Sequence, residues 1–320
     1  MTEPMDKPRV ARHFREQADA WVRGGYDGGA YDYPTARHRA RVVARLLKAA
    51  GRPLSVLDLG CGAGHLACAL AEHGHSVLGV DDSPRMIELA NQRLAAAPKA
   101  VGARLTFVQG DIETAEFEPG AFDAVMAMGV IGYLADDDKL LSLAAGALKP
   151  DGRFLVSCRN RLFNMVSLTH RTVREIESGA APALIAEIQA LARPVANAAA
   201  RDMVAALAET ATRLAADAGA WPPPAAPEAK TAAPVGAEAR QHTPNEIADK
   251  ARAHGFATVS FHGIHPHLID PALNRLLPPG VFNALSGCLD ALEDEPASLA
   301  WSSVFIAAFR NGGAAAGPAR

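Results

Sequence analysis

The chain lacks the usual marks of a secreted, membrane-spanning or metal-binding protein. Only 4 cysteines occur in 320 residues, none in a C-x-x-C pair or beside histidines at metal-ligand spacing. We therefore expect no disulfide framework and no bound metal, and a reducing cytoplasm is the expected compartment. No apolar run approaches the ~20 residues that cross a bilayer, and residues 1–6 lack the basic and apolar segments of a signal peptide. The expectation is a cytoplasmic protein with no membrane partner.

An excess of positive charge is missing as well. The formal net charge is -3, with 49% hydrophobic and 21% charged residues, which is typical of a soluble globular enzyme. We therefore predict no nucleic-acid partner. One local exception is a set of basic residues spaced at about every fourth position, namely Arg37, Arg41, Arg45 and Lys48. This stripe indicates either a solvated helix face or a local basic patch.

The most informative stretch is a predicted buried strand that runs into a glycine-rich turn. Val56–Leu59 is apolar except for Asp58, as expected of a parallel strand covered on both faces. Gly60, Gly62 and Gly64 follow at alternate positions, where the backbone can bend sharply and approach a ligand without Cβ atoms in the way. A helix comes next, so its N-terminal N–H groups are expected to face the turn.

Spacing separates this turn from two common phosphate-binding loops. A dinucleotide-binding turn has the pattern G-x-G-x-x-G, whereas the last glycine here comes one residue earlier. A P-loop is excluded because no Gly-Lys-Ser/Thr follows. A second strand, His75–Asp81, ends in an acid 17 residues after Gly64, where doubly wound folds bind ribose hydroxyls. At this point the sequence resembles the class I S-adenosylmethionine-dependent methyltransferases, although a βα turn of another doubly wound fold would look similar locally.

The resemblance extends over about residues 30–160 and implies an S-adenosylmethionine site. In the family, an acid at the position of Asp111 and the following N–H contact adenine, and a backbone carbonyl near Ala127 or Met128 receives the methionine amino group. A tyrosine and an arginine before the first strand contact the cofactor's carboxylate. The implied cofactor-binding residues are Tyr31, Tyr33, Arg37, Asp58, Gly60, Gly62, Gly64, Asp81, Asp82, Met86, Asp111, Ile112, Ala127 and Met128.

The elements together predict an α/β fold with a Rossmann-like, doubly wound sheet of seven strands, the last antiparallel. Strands six and seven are predicted at 257–261 and 301–309. The helical insertion between strands five and six is interpreted as a lid over the site or as a dimerisation arm. The predicted units are an N-terminal helical flap (1–50), the S-adenosylmethionine-binding core (51–160), the insertion (161–217), a Pro/Ala-rich linker (218–240), the completion of the core sheet (241–310) and a disordered tail (311–320).

Candidate catalytic residues are those predicted to follow strands at the carboxyl edge of the sheet. The implied reaction is an in-line displacement at a methyl carbon on a positively charged sulfur, so alignment of the acceptor matters most. A base is needed only where the acceptor must lose a proton early. The candidates are Tyr133, His242, His265 and His267. The two last-named histidines have no visible third ligand, so no metal site is assigned.

The expected acceptor is a small molecule. Arg159 and Asn160 follow strand five and are candidate substrate residues. Arg159 and Arg161 can either receive an anionic or polyhydroxylated substrate or equally pair with an acid of the insertion. We predict methyl transfer to oxygen or nitrogen of a metabolite, sugar or secondary metabolite. The alternatives are a protein methyltransferase and a non-catalytic cofactor-binding or scaffolding subunit. A homodimer formed through the helical insertion is a further expectation.

Overall fold

The structure is a computed structural model of the chain. It describes residues 35–191, 197–217, 239–269 and 281–312, together with single positions between residues 10 and 22. The predictions for Tyr31, Tyr33 and the linker at 218–238 lie outside the described residues.

A mixed sheet forms the centre of the described chain. Its strands run in the spatial order β3-β2-β1-β4-β5-β8-β7, with a short β6 paired to β5 beside this path. The first five strands are parallel, whereas β8 is antiparallel to both β5 and β7. The strands are β1 (Ser55–Leu59), β2 (Ser76–Asp81), β3 (Leu105–Gln109), β4 (Phe122–Met128), β5 (Leu148–Asn160), β6 (Gln241–His242), β7 (Phe256–Pro266) and β8 (Ser302–Asn311).

Helices cover both faces of the sheet, and three of them form the insertion after β5. The α-helices are α1 (Thr35–Lys48), α2 (His65–Glu72), α3 (Pro84–Ala96), α4 (Lys99–Gly102), α5 (Asp137–Ala147), α6 (His170–Glu177), α7 (Ala181–Leu191), α8 (Asn197–Asp217), α9 (Pro244–Ala253) and α10 (Val281–Gly287). Short 3₁₀ helices occur at Ile131–Tyr133, Leu162–Met165, Cys288–Leu292 and Pro296–Ala300.

Local capping signals explain where two of these helices begin. Ser83 caps α3 by accepting the N–H of Met86, and Pro84 occupies the first helical position. Thr243 and Glu246 form a reciprocal capping box at the start of α9. These side chains satisfy N–H groups that no carbonyl of the same helix can reach.

Both faces of the sheet bury apolar side chains. Along β1, Leu57 packs into one core cluster with Phe154, whereas its neighbour Val56 packs into a second cluster with Val42 and Leu70. The alternation follows from the pleat, which points successive side chains to opposite faces. A strand covered on both sides needs apolar residues on both, which accounts for the near-continuous apolar run of β1.

The predicted fold is confirmed, with longer final strands. β7 and β8 extend to Pro266 and Asn311, and β6 was not predicted. Asn311 was assigned to the disordered tail, but its buried side-chain amide donates to carbonyls at the end of α5 and the start of β5. No helix among the described residues is long and apolar enough to cross a membrane.

The insertion is held to the core by ion pairs. Arg161 donates to Glu175 of α6 at 2.7 Å and to Glu246 of α9 at 2.8 Å. Of the two interpretations of Arg161, pairing with an acid of the insertion is therefore confirmed. Within 161–191 and 197–217 no residue lines the cavity described below, so the roles of lid and dimerisation arm stay predictions.

Two of the four residues of the basic stripe of α1 form ion pairs. Arg41 lies 2.8 Å from Asp290, and Arg45 lies 2.6 Å from Asp294. Both arginines also contact Glu293, a nearly buried carboxylate. The stripe is thus neither a free basic patch nor a purely solvated face, because it ties α1 to the segment that precedes β8.

Candidate active site

The three glycines of the turn after β1 have left-handed backbone angles. Their φ values are +73° at Gly60, +52° at Gly62 and +73° at Gly64, a region that side chains with a Cβ rarely adopt. A Cβ on Gly60 would lie 2.3 Å from Val130, and one on Gly64 would lie 2.6 Å from the Phe107 ring. The turn therefore needs glycine both for its conformation and for its close packing.

Asp81, at the end of β2, connects two loops at the carboxyl edge of the sheet. Its Oδ2 accepts the N–H of Gly62 at 2.8 Å, and its Oδ1 accepts the N–H of Ser83 at 3.0 Å. The carboxylate thereby holds the glycine turn and the start of α3 at a constant spacing. Each oxygen keeps acceptor capacity for a ligand hydroxyl.

A cavity lies at the carboxyl ends of β1 to β4. Most of the predicted cofactor residues line it, namely Gly60, Gly62, Asp81, Asp82, Met86, Asp111, Ile112 and Met128. Asp58 lines a smaller pocket that shares Arg39, Gly60, Cys61 and Met128 with the cavity. Sequence reasoning missed the other described lining residues, which are Val10, Phe14, Val22, Arg39, Cys61, Ala63, Glu113, Gly129, Val130 and Leu134, with Tyr133 predicted in another role.

The arginine at the cavity is Arg39 rather than the predicted Arg37. Arg37 is exposed, whereas Arg39 is partly buried, lines the cavity and donates to Ser157 Oγ at 3.3 Å. Two residues along an α-helix are about 200° apart, so the two side chains point in nearly opposite directions. The structure therefore places Arg39, two residues after the predicted Arg37, in the cavity lining, and the contact of either arginine with the cofactor stays a prediction.

The N-terminal helical positions form one wall of the cavity. Val10, Phe14 and Val22 line it, and Ala18 packs against Ala63 and Met86. These four positions are spaced by four residues, so they share one face of a helix. This apolar stripe was a signal in the sequence that could have found the wall.

Tyr133 lies at the end of the cavity nearest β5. Its ring meets Phe14 edge-to-face at a centroid distance of 5.1 Å. Its hydroxyl is 3.4 Å from Nη2 of Arg159, whose side chain is exposed. Of the four candidate bases, Tyr133 is the one that the structure places in the cavity lining.

The three candidate histidines do not line the cavity. His242 is buried in β6, with Nε2 2.9 Å from a carboxylate oxygen of Asp137. The rings of His265 and His267 lie 4.4 Å apart at the end of β7, and His267 packs on Phe163. They reach the expected edge of the sheet, because β8 is antiparallel to both β5 and β7 and β7 therefore runs parallel to β5. They lie away from the glycine turn because β7 is the outermost strand, separated from β1 by β4, β5 and β8.

Three further predicted residues are also displaced from the cavity. Asn160 is fully buried and donates to the backbone carbonyls of Leu299 and Ser302, so it joins β5 to the C-terminal segment. Ala127 is fully buried within β4, one residue short of the lining residue Met128. Gly64 packs against Phe107 beneath the turn.

Two carboxyl groups at the site have pKa values above their usual range because they are buried. Burial raises the pKa of Asp58 to about 7, and the nearby charge of Asp81 adds to the rise. Burial also raises the pKa of Asp81 to about 6, opposed by its hydrogen bonds from Ser83 and Gly62. Because burial makes ionisation of these groups cost free energy, a positively charged ligand is favoured there.

We expect Asp58→Asn to stabilise the ligand-free chain at pH 8 but not near pH 4. A carboxyl group whose pKa is near 3.9 in the unfolded chain and near 7 in the folded chain binds more protons in the folded chain. Its contribution to the free energy of unfolding therefore falls as pH rises from about 4 to about 7. Asparagine does not ionise, so the melting temperature of the variant should exceed that of the wild type by about 5 °C at pH 8. Calorimetric melting at both pH values tests this, and an equal difference at both would contradict it.

The residues present fit S-adenosylmethionine. Gly60 and Gly62 leave a backbone cradle on the cavity wall that a Cβ would narrow. Asp81 and Asp111 supply acceptors at the ends of neighbouring strands, and Arg39 supplies a cation for a carboxylate. The acidic groups suit the positive charge of a sulfonium, so the donor set matches the cofactor that the sequence implied.

Comparisons with known proteins agree with this site. Residues 57–156 match the model of a methyltransferase domain. The ubiquinone biosynthesis O-methyltransferase of Methylobacterium nodulans is 30% identical over 174 residues, which are 51% of this chain and 68% of that protein. The mitochondrial enzyme of the same name from Schizosaccharomyces pombe is 31% identical over 159 residues, 47% of this chain and 54% of that protein.

A solved structure shares the fold over nearly the whole chain. Magnesium protoporphyrin IX methyltransferase from Synechocystis with bound SAH has a TM-score of 0.55 and 18% identity, covering 96% of this chain and 99% of that one. The likeness at this identity concerns the fold. One conclusion follows from this shared fold, the glycine turn, the acidic strand ends and the match to the first relative, two thirds of which the chain covers. The chain belongs to the class I S-adenosylmethionine-dependent methyltransferases.

Proposed function

We propose that the chain transfers a methyl group to oxygen of a small molecule, with nitrogen as the second acceptor type. The observation that carries this proposal is the cavity, which joins the cofactor residues at the ends of β1 to β3 to an apolar and aromatic end around Tyr133. The curated relatives reported above are named O-methyltransferases, which favours oxygen. The matched segment is about half of this chain, so the acceptor belongs to the proposal.

Each part of the cofactor has a proposed partner in this chain. S-adenosylmethionine supplies an electrophilic methyl group on a positively charged sulfur. Asp81 binds the ribose hydroxyls, Asp111 and the N–H of Ile112 bind adenine, and Arg39 binds the carboxylate. Asp58 and Met128 lie near the methionine end, where a carboxylate and a backbone carbonyl suit its ammonium group.

The chain's role toward the acceptor is alignment and removal of water. Phe14, Val130 and Leu134 provide apolar walls beside Tyr133, and such walls strengthen electrostatic interactions inside the cavity. The Tyr133 hydroxyl can accept or donate a hydrogen bond, so it can orient an acceptor hydroxyl or take part in its deprotonation. A scaffolding subunit would not need this group beside the cofactor site.

Calorimetric titration with S-adenosylhomocysteine and, separately, with NAD tests the cofactor assignment. Micromolar binding of S-adenosylhomocysteine alone is expected. Transfer from methyl-labelled S-adenosylmethionine to a panel of hydroxylated and amino compounds then tests the acceptor type. Binding of the cofactor without transfer to any member would favour the scaffolding alternative, and failure to bind it would overturn the proposed site.

We expect Arg39→Gln to weaken binding of S-adenosylhomocysteine by about tenfold, because a charge-assisted hydrogen bond to the carboxylate is lost. Arg37→Gln is the matched control, since it removes the same charge two residues away from an exposed position. Calorimetric titration of both variants gives the comparison. Equal affinities would remove Arg39 from the site, and a larger loss in Arg37→Gln would restore the original assignment.

A further inference from the structure

Arg159 lies on the face of β5 that backs the cavity. Ser157 and Arg159 are two residues apart in a strand, so they share one face of the sheet. Ser157 Oγ accepts the N–H of Gly129 at 2.7 Å and a hydrogen bond from Arg39, and both of these residues line the cavity. Arg159 is therefore two residues nearer to the carboxyl edge of the sheet than Ser157, which contacts two residues of the cavity lining.

Tyr133 connects Arg159 to the cavity. The tyrosine lines the cavity, and its hydroxyl lies 3.4 Å from Arg159 Nη2. The ring of Phe14 packs edge-to-face against it and so limits its movement. A ligand that reaches the Tyr133 hydroxyl from the cavity is therefore within reach of the guanidinium.

Arg159 differs from neighbouring arginines in what it pairs with. Arg161 contacts Glu175 and Glu246, and Arg240 contacts Asp137. Across the described ranges, Arg159 forms no ion pair with a carboxylate, and Tyr133 is its side-chain partner. A guanidinium presents parallel N–H donors that match a carboxylate, and here that capacity is directed to the rim of the site.

Charge is distributed unevenly along the carboxyl edge of the sheet. Asp81, Asp82, Asp111 and Glu113 lie at the ends of β2 and β3, on the proposed cofactor side. Arg159 is the last residue but one of β5, on the other side of β1 and β4. An anionic acceptor is repelled from the first half and attracted to the second, which orients it across the cavity.

We propose that Arg159, with the Tyr133 hydroxyl, binds a carboxylate carried by the methyl acceptor. The acceptor is then a small organic acid with an apolar body, which packs against Phe14, Val130 and Leu134 while its acid group reaches the rim. Arg159 is a specificity-determining residue in this arrangement. The inference rests on the proposed function, since it assumes that the acceptor occupies the cavity beside the cofactor.

The test compares benzoate with benzamide, which have the same shape but differ in charge. Each is titrated into the chain saturated with S-adenosylhomocysteine, and binding is followed by saturation-transfer NMR. Benzoate should bind at least about tenfold more tightly than benzamide, and Arg159→Gln should abolish that preference. Tyr133→Phe should reduce it partly, and added salt should weaken it in the wild type because Arg159 is exposed.

Arg310→Gln is the matched control, because Arg310 is an exposed arginine near the other end of the sheet, paired with Asp151. It should leave the preference unchanged. No saturable benzoate binding, no preference over benzamide, or a preference that persists in Arg159→Gln would each overturn the inference. Failure to bind S-adenosylhomocysteine would instead overturn the proposed function, and the titration would then be repeated on the chain alone.

Discussion

Asp81→Ala is expected to weaken binding of S-adenosylhomocysteine by about 30- to 1,000-fold, or roughly 2–4 kcal/mol. The substitution removes the proposed acceptor of two ribose hydroxyls. It also removes the acceptor of the Gly62 and Ser83 N–H groups, so the glycine turn loses its attachment to the start of α3. Calorimetric titration measures the loss. An unchanged affinity would exclude Asp81 as a ligand.

Two controls separate these contributions. Asp81→Asn keeps one oxygen acceptor and the size of the side chain, so we expect a loss between those of the wild type and Asp81→Ala. Asp202→Asn changes an exposed aspartate on α8 and should have no effect on affinity. Melting temperatures of all variants show whether a lost affinity reflects a disordered turn.

Gly64→Ala is expected to lower the free energy of unfolding by about 2–5 kcal/mol. The left-handed φ of +73° costs about 1–2 kcal/mol for a residue with a Cβ. The new methyl group would lie 2.6 Å from Phe107 Cζ and 3.3 Å from Ala90 Cβ, and relieving such an overlap in a packed core costs a further 1–3 kcal/mol or so. Chemical denaturation measures the sum.

Gly51→Ala isolates the backbone cost. Gly51 has a similar φ of +68°, but a Cβ there meets no atom within 4 Å. Its variant should therefore lose only about 1–2 kcal/mol. Equal losses at the two positions would show that the contact with Phe107 is unimportant, and Gly64→Ala/Phe107→Leu should recover part of the packing cost but none of the backbone cost.

The cofactor half of the site was predictable because its residues are local in sequence. Most candidates lie at the end of a strand or in the turn after it, and parallel strands bring their carboxyl ends to one edge. The position of Asp81 could be predicted without knowledge of tertiary packing, because the apolar run before it and its distance from Gly64 defined the end of the strand. The three alternating glycines likewise predicted a close backbone approach.

The acceptor half was not predictable in the same way. His242 follows the insertion at the expected edge, yet its pairing with Asp137 depends on how β6 lies against β5 and α5. Asn160 ends β5 at the right place, but an adjacent strand and 3₁₀ segment cover it. Strand order places both residues at this edge of the sheet, but it does not determine which distant segment then covers or pairs with each side chain.

The amino-acid sequence alone thus contained the fold class, the cofactor and the acidic residues that line its proposed site, because these depend on strand order and on spacing within βα units. Tertiary packing selected Arg39 over Arg37, brought the stripe containing Phe14 over the cavity and left Arg159 at its rim without a carboxylate partner among the described residues. The physical reason is that a helix's rotation and a side chain's partner depend on contacts between distant segments, whose energies no local pattern contains.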